Sequence, residues 1–230
     1  MKTESLKEFS AAGVTVKFLR VEGLSPGDSL SEREAAQYSV FRLEKRRKEW
    51  LAGRLAAKAL LAEHTGLAQA ALEILPDRLG RPSYGGELVS ITHSGGWAAA
   101  AFKPGSVFLG LDLEVIEERH PAWYRDYFHP SELPARDPSE ATRLWTIKEA
   151  LLKALGLGLM ADPLDIKTGE RIRLTGKALE RHRELGSPAF SVETRAFPDG
   201  FWTALAADRE AGQEGPASDA PAGYGEKGRI

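Results

Sequence analysis

Two short stretches hold residue types at spacings that could do chemistry together. In Trp145-Thr146-Ile147-Lys148-Glu149-Ala150-Leu151-Leu152-Lys153, the residues Trp145, Glu149 and Lys153 fall four apart and share one face of a helix. Upstream, Val107 to Val115 alternates, with Val107, Leu109, Leu111, Leu113 and Val115 on one strand face and Gly110, Asp112 and Glu114 on the other. Alone, the Glu149 and Lys153 pair reads first as a surface ion pair, and Asp112 with Glu114 as two solvent-facing acids on an edge strand. Together, three carboxylates repel one another unless a cation joins them. Hard oxygen ligands suit Mg²⁺, which keeps coordination positions for water and substrate phosphate. Magnesium and a phosphorylated substrate are expected together.

The elements that must position these residues are signalled locally. Asp137-Pro138-Ser139-Glu140 predicts a helix start, with Asp137 as cap, Pro138 in the first turn and Glu140 completing a capping box; Gly156 ends that helix after Leu155. An earlier helical stretch runs from about Leu30 to Glu63, with Gly66 beyond it. There Leu51, Leu55, Ala59 and Ala62 face a core, and Arg47, Arg54 and Lys58 form a cationic stripe that reads first as a solvated face. Strands are predicted at Val14–Leu19, Val89–His93, Trp97–Phe102, Phe190–Phe197 and Phe201–Ala206, the last two around a Pro198-Asp199-Gly200 turn. Strand, helix and hairpin thus occur twice. The expected fold is α+β, a pseudo-twofold duplication of two lobes, each a small antiparallel sheet packed on a long helix. The lobes are placed at residues 1–108 and 109–207, and residues 208–230, rich in Gly, Pro, Ala and charge, are expected to be a disordered tail.

Composition narrows the function classes. No cysteine is present, which excludes disulfides, thiolate metal sites and cysteine nucleophiles. With 31 basic against 33 acidic residues, no overall field gathers nucleic acid or anionic membrane, so any polyanion site is local. No signal core and no run of ~20 apolar residues appears, so a cytoplasmic protein without a membrane partner is expected. His64, His120, His129 and His182 lack metal-ligand spacing, and Trp123, Tyr124, Tyr127 and Phe128 read as a helix's core stripe.

Gly110-Leu111-Asp112-Leu113-Glu114 followed by Trp145 to Lys153 resembles the signature pair of the 4′-phosphopantetheinyl transferases. Trp50-Leu51-Ala52-Gly53-Arg54, Gly80-Arg81-Pro82 and Ser90-Ile91-Thr92-His93-Ser94 resemble three further blocks of that family, in its order. The blocks span about residues 41–160, with none visible after about Asp162, and the length resembles the two-lobed, monomeric, surfactin-synthetase-activating type.

The resemblance implies transfer of the phosphopantetheine arm of coenzyme A to a serine of an acyl- or peptidyl-carrier protein of fatty-acid, polyketide or nonribosomal-peptide synthesis. It implies Mg²⁺ on Asp112, Glu114 and Glu149, with Glu149 the best-placed base and Lys153 at the pyrophosphate and the departing 3′,5′-ADP. His93, with Ser90 and Thr92, would bind phosphates of coenzyme A, Thr92 standing where the family has serine. Gly80, Arg81 and Pro82 would border the adenosine, Arg81 reaching toward its 3′-phosphate. Arg47 and Arg54 belong to the basic helix block, with Lys48 and Arg33 as competitors. A basic or apolar carrier-facing surface is expected near Arg119 to Phe128. Two alternatives stand beside this reading: a non-catalytic coenzyme A or carrier-binding homologue, and a Mg²⁺-dependent nuclease using the same carboxylates with Lys148 or Lys153 and contacting a phosphate backbone through Lys45-Arg46-Arg47-Lys48. Near-neutral charge opposes the nuclease.

Overall fold

A computed structural model describes residues 7–11, 13–133 and 135–209. In chain order the elements are β1 (Lys7–Ala11), β2 (Val14–Arg20), α1 (Glu32–Val40), α2 (Glu44–Thr65), β3 (Leu75–Pro76), β4 (Pro82–Tyr84), β5 (Glu87–Ser94), β6 (Trp97–Phe102), β7 (Leu109–Val115), α3 (Pro121–Tyr127), α4 (Pro138–Leu155), β8 (Ile166–Lys167), β9 (Arg173–Leu174), α5 (Gly176–Glu184), β10 (Phe190–Arg195) and β11 (Phe201–Asp208). The strands form a six-stranded sheet ordered β1-β2-β6-β5-β4-β3, a three-stranded sheet ordered β10-β11-β7, and the small pair β8-β9.

The expected α+β duplication appears as topology. In the first lobe β2 precedes α2, the hairpin β5-β6 follows, and the first strand pairs with the last, giving β2-β6-β5. In the second, β7 precedes α4, β10-β11 follows, and the order is again first, last, middle. All these pairings are antiparallel. The sheets meet through an apolar core of Val14, Val16 and Phe18 on β2, Trp97, Ala99 and Ala101 on β6, Leu109, Leu111 and Leu113 on β7, and Phe201, Leu205 and Ala207 on β11. The odd-numbered face of β7 therefore lies inward between the lobes, as its alternation predicts.

Three expectations need correction. The single helix from Leu30 to Glu63 is two helices, broken at Phe41–Leu43. On one straight helix Glu34 and Lys58 would stand roughly 36 Å apart. Instead α1 folds back and the two side chains form an ion pair, Glu34 also accepting from Ile74 N at 3.2 Å. The cationic stripe is accordingly no solvated face, because Lys58 is fully buried and donates to Ser29 O (2.7 Å) and Gln69 O (2.9 Å). Finally, Asp208 belongs to β11 and not to a tail: its backbone carbonyl accepts from Lys103 Nζ at 2.7 Å and its carboxylate from Ser106 Oγ. The rest of the expected tail, from residue 210, lies outside the described residues.

Helix α4 begins and ends where its signals place it. Asp137 Oδ1 accepts from Ser139 N (2.8 Å) and Glu140 N (3.2 Å), and Gly156, at φ 66°, closes the C-terminus. The capping box does not form, since Glu140 turns instead to Arg143 (2.6 and 2.8 Å). What lets α4 lie on β7 is Gly110, where an added Cβ would stand 1.9 Å from Ala150 O and 2.7 Å from Ala154 N. Backbone cannot yield as a side-chain tip can. Gly110→Ala is expected to cost about 2–3 kcal/mol by overpacking, lowering the melting temperature by about 4–12 °C. A thermal melt unchanged from wild type would mean that α4 can back away freely.

Candidate functional site on the seam between the lobes

β4 pairs with β5 only at Glu87 and Leu88, so beyond that point one edge of β5 has no ladder partner. β7 lies beside it, and side chains join the strands. Ser90 Oγ accepts from Leu111 N (2.8 Å), Thr92 Oγ1 donates to Asp112 Oδ1 (3.0 Å), and Ser94 Oγ accepts from Val115 N (3.3 Å) while donating to Glu114 Oε2 (3.0 Å). Alternate residues of β5 thus meet β7 in step, each contact spanning 20 or 21 residues of sequence. From α4, Lys153 Nζ reaches the same point, donating to Asp112 Oδ1 (2.6 Å) and Leu111 O (3.1 Å). Glu114 Oε2 also faces Arg119 at 3.5 Å.

The charge of Asp112 acts on both neighbouring carboxyls. Burial, then the charge of Asp112, pushes the Glu114 carboxyl upward against the Ser94 hydrogen bond and the charges of Arg119 and Lys153. Glu149 is pushed up to about 7 by burial, then by Asp112 and Glu114, with Lys153 opposing. Asp112 is 3% exposed, and its Oδ2 is buried without a hydrogen-bond partner. As the side chains stand, no three His, Asp or Glu residues among the described ones converge closely enough to hold a metal ion. The donor set nonetheless fits a hard divalent cation. It is all oxygen, carries excess negative charge in a low-dielectric setting, and includes one buried carboxylate oxygen with nothing bound to it.

His93 lies on the opposite face of β5, toward α2. Arg46 is 3.4 Å from its Nε2 and Glu49 3.7 Å from its Nδ1. A guanidinium can only donate, so Nε2 accepts and the ring proton sits on Nδ1, facing the carboxylate. Burial holds the imidazole below its ordinary value; Glu49 opposes this, and Arg46 and Lys153 add to it. Arg46 was read from sequence only as part of the basic run of the nuclease alternative and not as a neighbour of His93, yet Arg46, Glu49 and Gly53 fall at helical spacing. Gly53 marks the closest approach, an added Cβ there meeting Ile91 at 2.5 Å. Arg47 and Arg54, the expected basic pair, turn away from His93: Arg47 lies over the Tyr38 ring at 5.7 Å, while Arg54 lies over Trp50 at 4.8 Å and donates to Ile74 O at 3.0 Å. Both belong to the packing of α1 on α2. Thr92 is likewise no open phosphate ligand, because its hydroxyl is spent on Asp112 in a 4% exposed position.

A cavity of about 210 Å³ opens beside this cluster, lined among others by Gly80, Arg81, Pro82, Ser90, Lys153 and Met160. Two blocks far apart in sequence meet there. Arg81 donates to Asp77 Oδ2 (2.9 Å) and, across the seam, to Ala154 O (3.0 Å) at the C-terminal end of α4, where a cation is favoured. Lys153 belongs both to the cavity lining and to the carboxylate cluster. Lys148 takes no part: it is fully buried on the other side of α4, bonded to Tyr127 O (2.9 Å), Glu132 (3.0 Å) and Pro163 O (3.3 Å). That removes it as the nuclease reading's basic partner. Phe128 is part of the core of the second lobe and Trp123, Tyr124 and Tyr127 pack against it, as the aromatic stripe predicts; Trp145 packs there too.

Fold and site define a two-lobed α+β protein whose seam gathers carboxylates and cations beside a cavity, a class of site suited to a phosphorylated ligand. The chain belongs to the 4′-phosphopantetheinyl transferase superfamily, whose family model matches residues 108–206, while that of the 4′-phosphopantetheinyl transferase N-terminal domain matches residues 34–103. The match runs past Asp162, where sequence motifs had ended. A phosphopantetheinyl transferase of Thraustochytrium sp. is 26% identical over 181 residues, 64% of this chain, and the chain spans 62% of that relative's length. Among solved structures, the Thermotoga maritima holo-[acyl-carrier-protein] synthase aligns over 51% of this chain and 75% of its own at 23% identity, with a TM-score of 0.32.

Proposed function

We propose that this chain transfers the 4′-phosphopantetheine of coenzyme A to a serine of an acyl- or peptidyl-carrier protein, releasing 3′,5′-ADP, as a two-lobed monomer of the surfactin-synthetase-activating type. The observation that carries this reading is the position of Lys153, which borders the cavity and bonds Asp112. One ammonium can there meet both a pyrophosphate and the carboxylates beside it.

The nucleophile is the carrier's hydroxyl. Its oxygen bonds to the β-phosphorus of coenzyme A, the phosphoanhydride bond breaks, and the proton passes to the carboxylate of Glu149, the base of this reading. Lys153 spends two of its three N–H donors on Asp112 and Leu111, leaving the third for the departing phosphate. Asp112, Glu114 and Glu149 are the residues that would hold Mg²⁺. When bound it would neutralise charge on the pyrophosphate and on the oxygens of the transferring phosphoryl group. Arg46, beside His93, adds a guanidinium donor for phosphate at the α2 side of β5, and Gly80 to Pro82 border the nucleotide. Ser90, which lines the cavity, acts chiefly by holding β7.

Incubating purified apo-carrier protein with this chain, coenzyme A and Mg²⁺ is expected to add the mass of one phosphopantetheine, and EDTA is expected to abolish the gain. No gain across fatty-acid, polyketide and nonribosomal-peptide carriers would count against the proposal.

A further inference from the structure

Asp112 and Glu114 are held in the same way. In each, one carboxylate oxygen takes both a hydroxyl from β5 and a cation from the second lobe. Asp112 Oδ1 receives Thr92 Oγ1 (3.0 Å) and Lys153 Nζ (2.6 Å); Glu114 Oε2 receives Ser94 Oγ (3.0 Å) and stands 3.5 Å from Arg119. The hydroxyls come from one lobe and the carboxylates from the other. Thr92 and Ser94 are two residues apart on β5, as Asp112 and Glu114 are on β7, so the matched strand repeats carry the pattern.

We infer that Thr92 and Ser94 are positioning residues for the carboxylate pair, Ser94 orienting Glu114 and Thr92 orienting Asp112, so that the first lobe sets the geometry of a cation site whose ligands all lie in the second. This rests on the proposal above that these carboxylates hold a divalent cation. Each hydroxyl fixes one oxygen of its carboxylate, and in Asp112 the other oxygen, Oδ2, is left buried and unbonded, free to ligate. Ser94 also ties Glu114 to the backbone of its own strand, because the same hydroxyl accepts from Val115 N. Without it, Arg119 is the remaining partner of Glu114 Oε2, and the carboxylate is free to turn toward that guanidinium. Groups that orient metal ligands in this manner commonly change metal affinity by about 10–100-fold when removed.

The test is Mn²⁺ binding to the full chain, followed by electron paramagnetic resonance of the free ion, with no coenzyme A or carrier present. Ser94→Ala is expected to weaken binding about tenfold or more, Thr92→Val to do the same at Asp112, and Ser94→Thr, which keeps the hydroxyl, to stay within about threefold of wild type. Ser94→Ala and Thr92→Val proteins that bind Mn²⁺ as tightly as wild type would overturn the positioning role and leave the cation site standing. Loss of affinity in Ser94→Thr equal to that in Ser94→Ala would overturn it as well, since the hydroxyl would then not be the active feature. A wild-type chain with no saturable Mn²⁺ binding would overturn the cation site and the positioning role together.

Discussion

Lys153→Ala is expected to lower turnover about 10²–10³-fold while leaving coenzyme A affinity within a few-fold of wild type, the loss typical of removing one preorganised charge aimed at a transition state. The reason lies in where charge develops. In the proposed reaction the pyrophosphate would already be met by other donors in the ground state, whereas the leaving phosphate would gain negative charge only as its bond to the β-phosphorus breaks. Lys153 has a second attachment, at 2.6 Å to Asp112, so its removal also strips a cation from a buried carboxylate. Two titrations separate the roles. Calorimetric coenzyme A binding and the Mg²⁺ dependence of kcat, measured on the same variant, should show kcat reduced at saturating Mg²⁺ if Lys153 acts on the leaving group. A variant with normal kcat at high Mg²⁺ would reduce Lys153 to a holder of Asp112, and one with normal kcat throughout would remove it from the mechanism.

Lys148→Ala, five residues away in the same motif, is expected to fail by instability. Lys148 and Glu132 both have fully buried side chains, 3.0 Å apart. Burial tends to raise the Glu132 carboxyl, but hydrogen bonds from Thr168, His129 and Lys148 outweigh it and hold the group below the usual carboxylate range. Removing the ammonium leaves a desolvated carboxylate with one donor fewer, a defect of about 3–5 kcal/mol. Urea unfolding should show that loss, and any activity surviving at low temperature should have normal coenzyme A affinity. A stable variant with impaired catalysis would instead return Lys148 to the site. The same carboxyl gives a pH signature. Because its folded-state pKa is depressed, its contribution is complete above the unfolded value near 4.3 and is lost as pH falls through the lower folded value. Melts of wild type should therefore hold from pH 7 down to the unfolded value of about 4.3 and then fall progressively as the pH drops toward the lower folded value.

The two lysines mark how far the sequence could be read. Periodicity places Glu149 and Lys153 on one helical turn after another, alternation places Asp112 and Glu114 on one strand face, and Asp137, Pro138 and Gly156 bound the helix between them. All of these are local rules, decided by neighbours within a few residues, and the structure obeys them. The same rules misjudged α1 and α2 as one helix, because nothing within a few residues of Phe41 reveals that Glu34 must reach Lys58. They misjudged Arg54 and Lys58 as solvated for the same reason: the burying partner is distant in sequence.

By itself, then, the sequence determined the inventory of chemistry: oxygen ligands without cysteine, three carboxylates and lysines at fixed local spacing, and a repeated order of strand, helix and hairpin. Only the tertiary structure decided which members of that inventory meet. It set Lys148 into the core and Lys153 onto the seam, exchanged Arg47 and Arg54 for Arg46 beside His93, and turned Thr92 and Ser94 toward the carboxylates of the other lobe. The physical reason is that local spacing fixes the direction of a side chain relative to its own helix or strand. What stands in that direction depends on how the two sheets pack, and that packing is set by apolar contacts between residues as far apart as Val14 and Phe201.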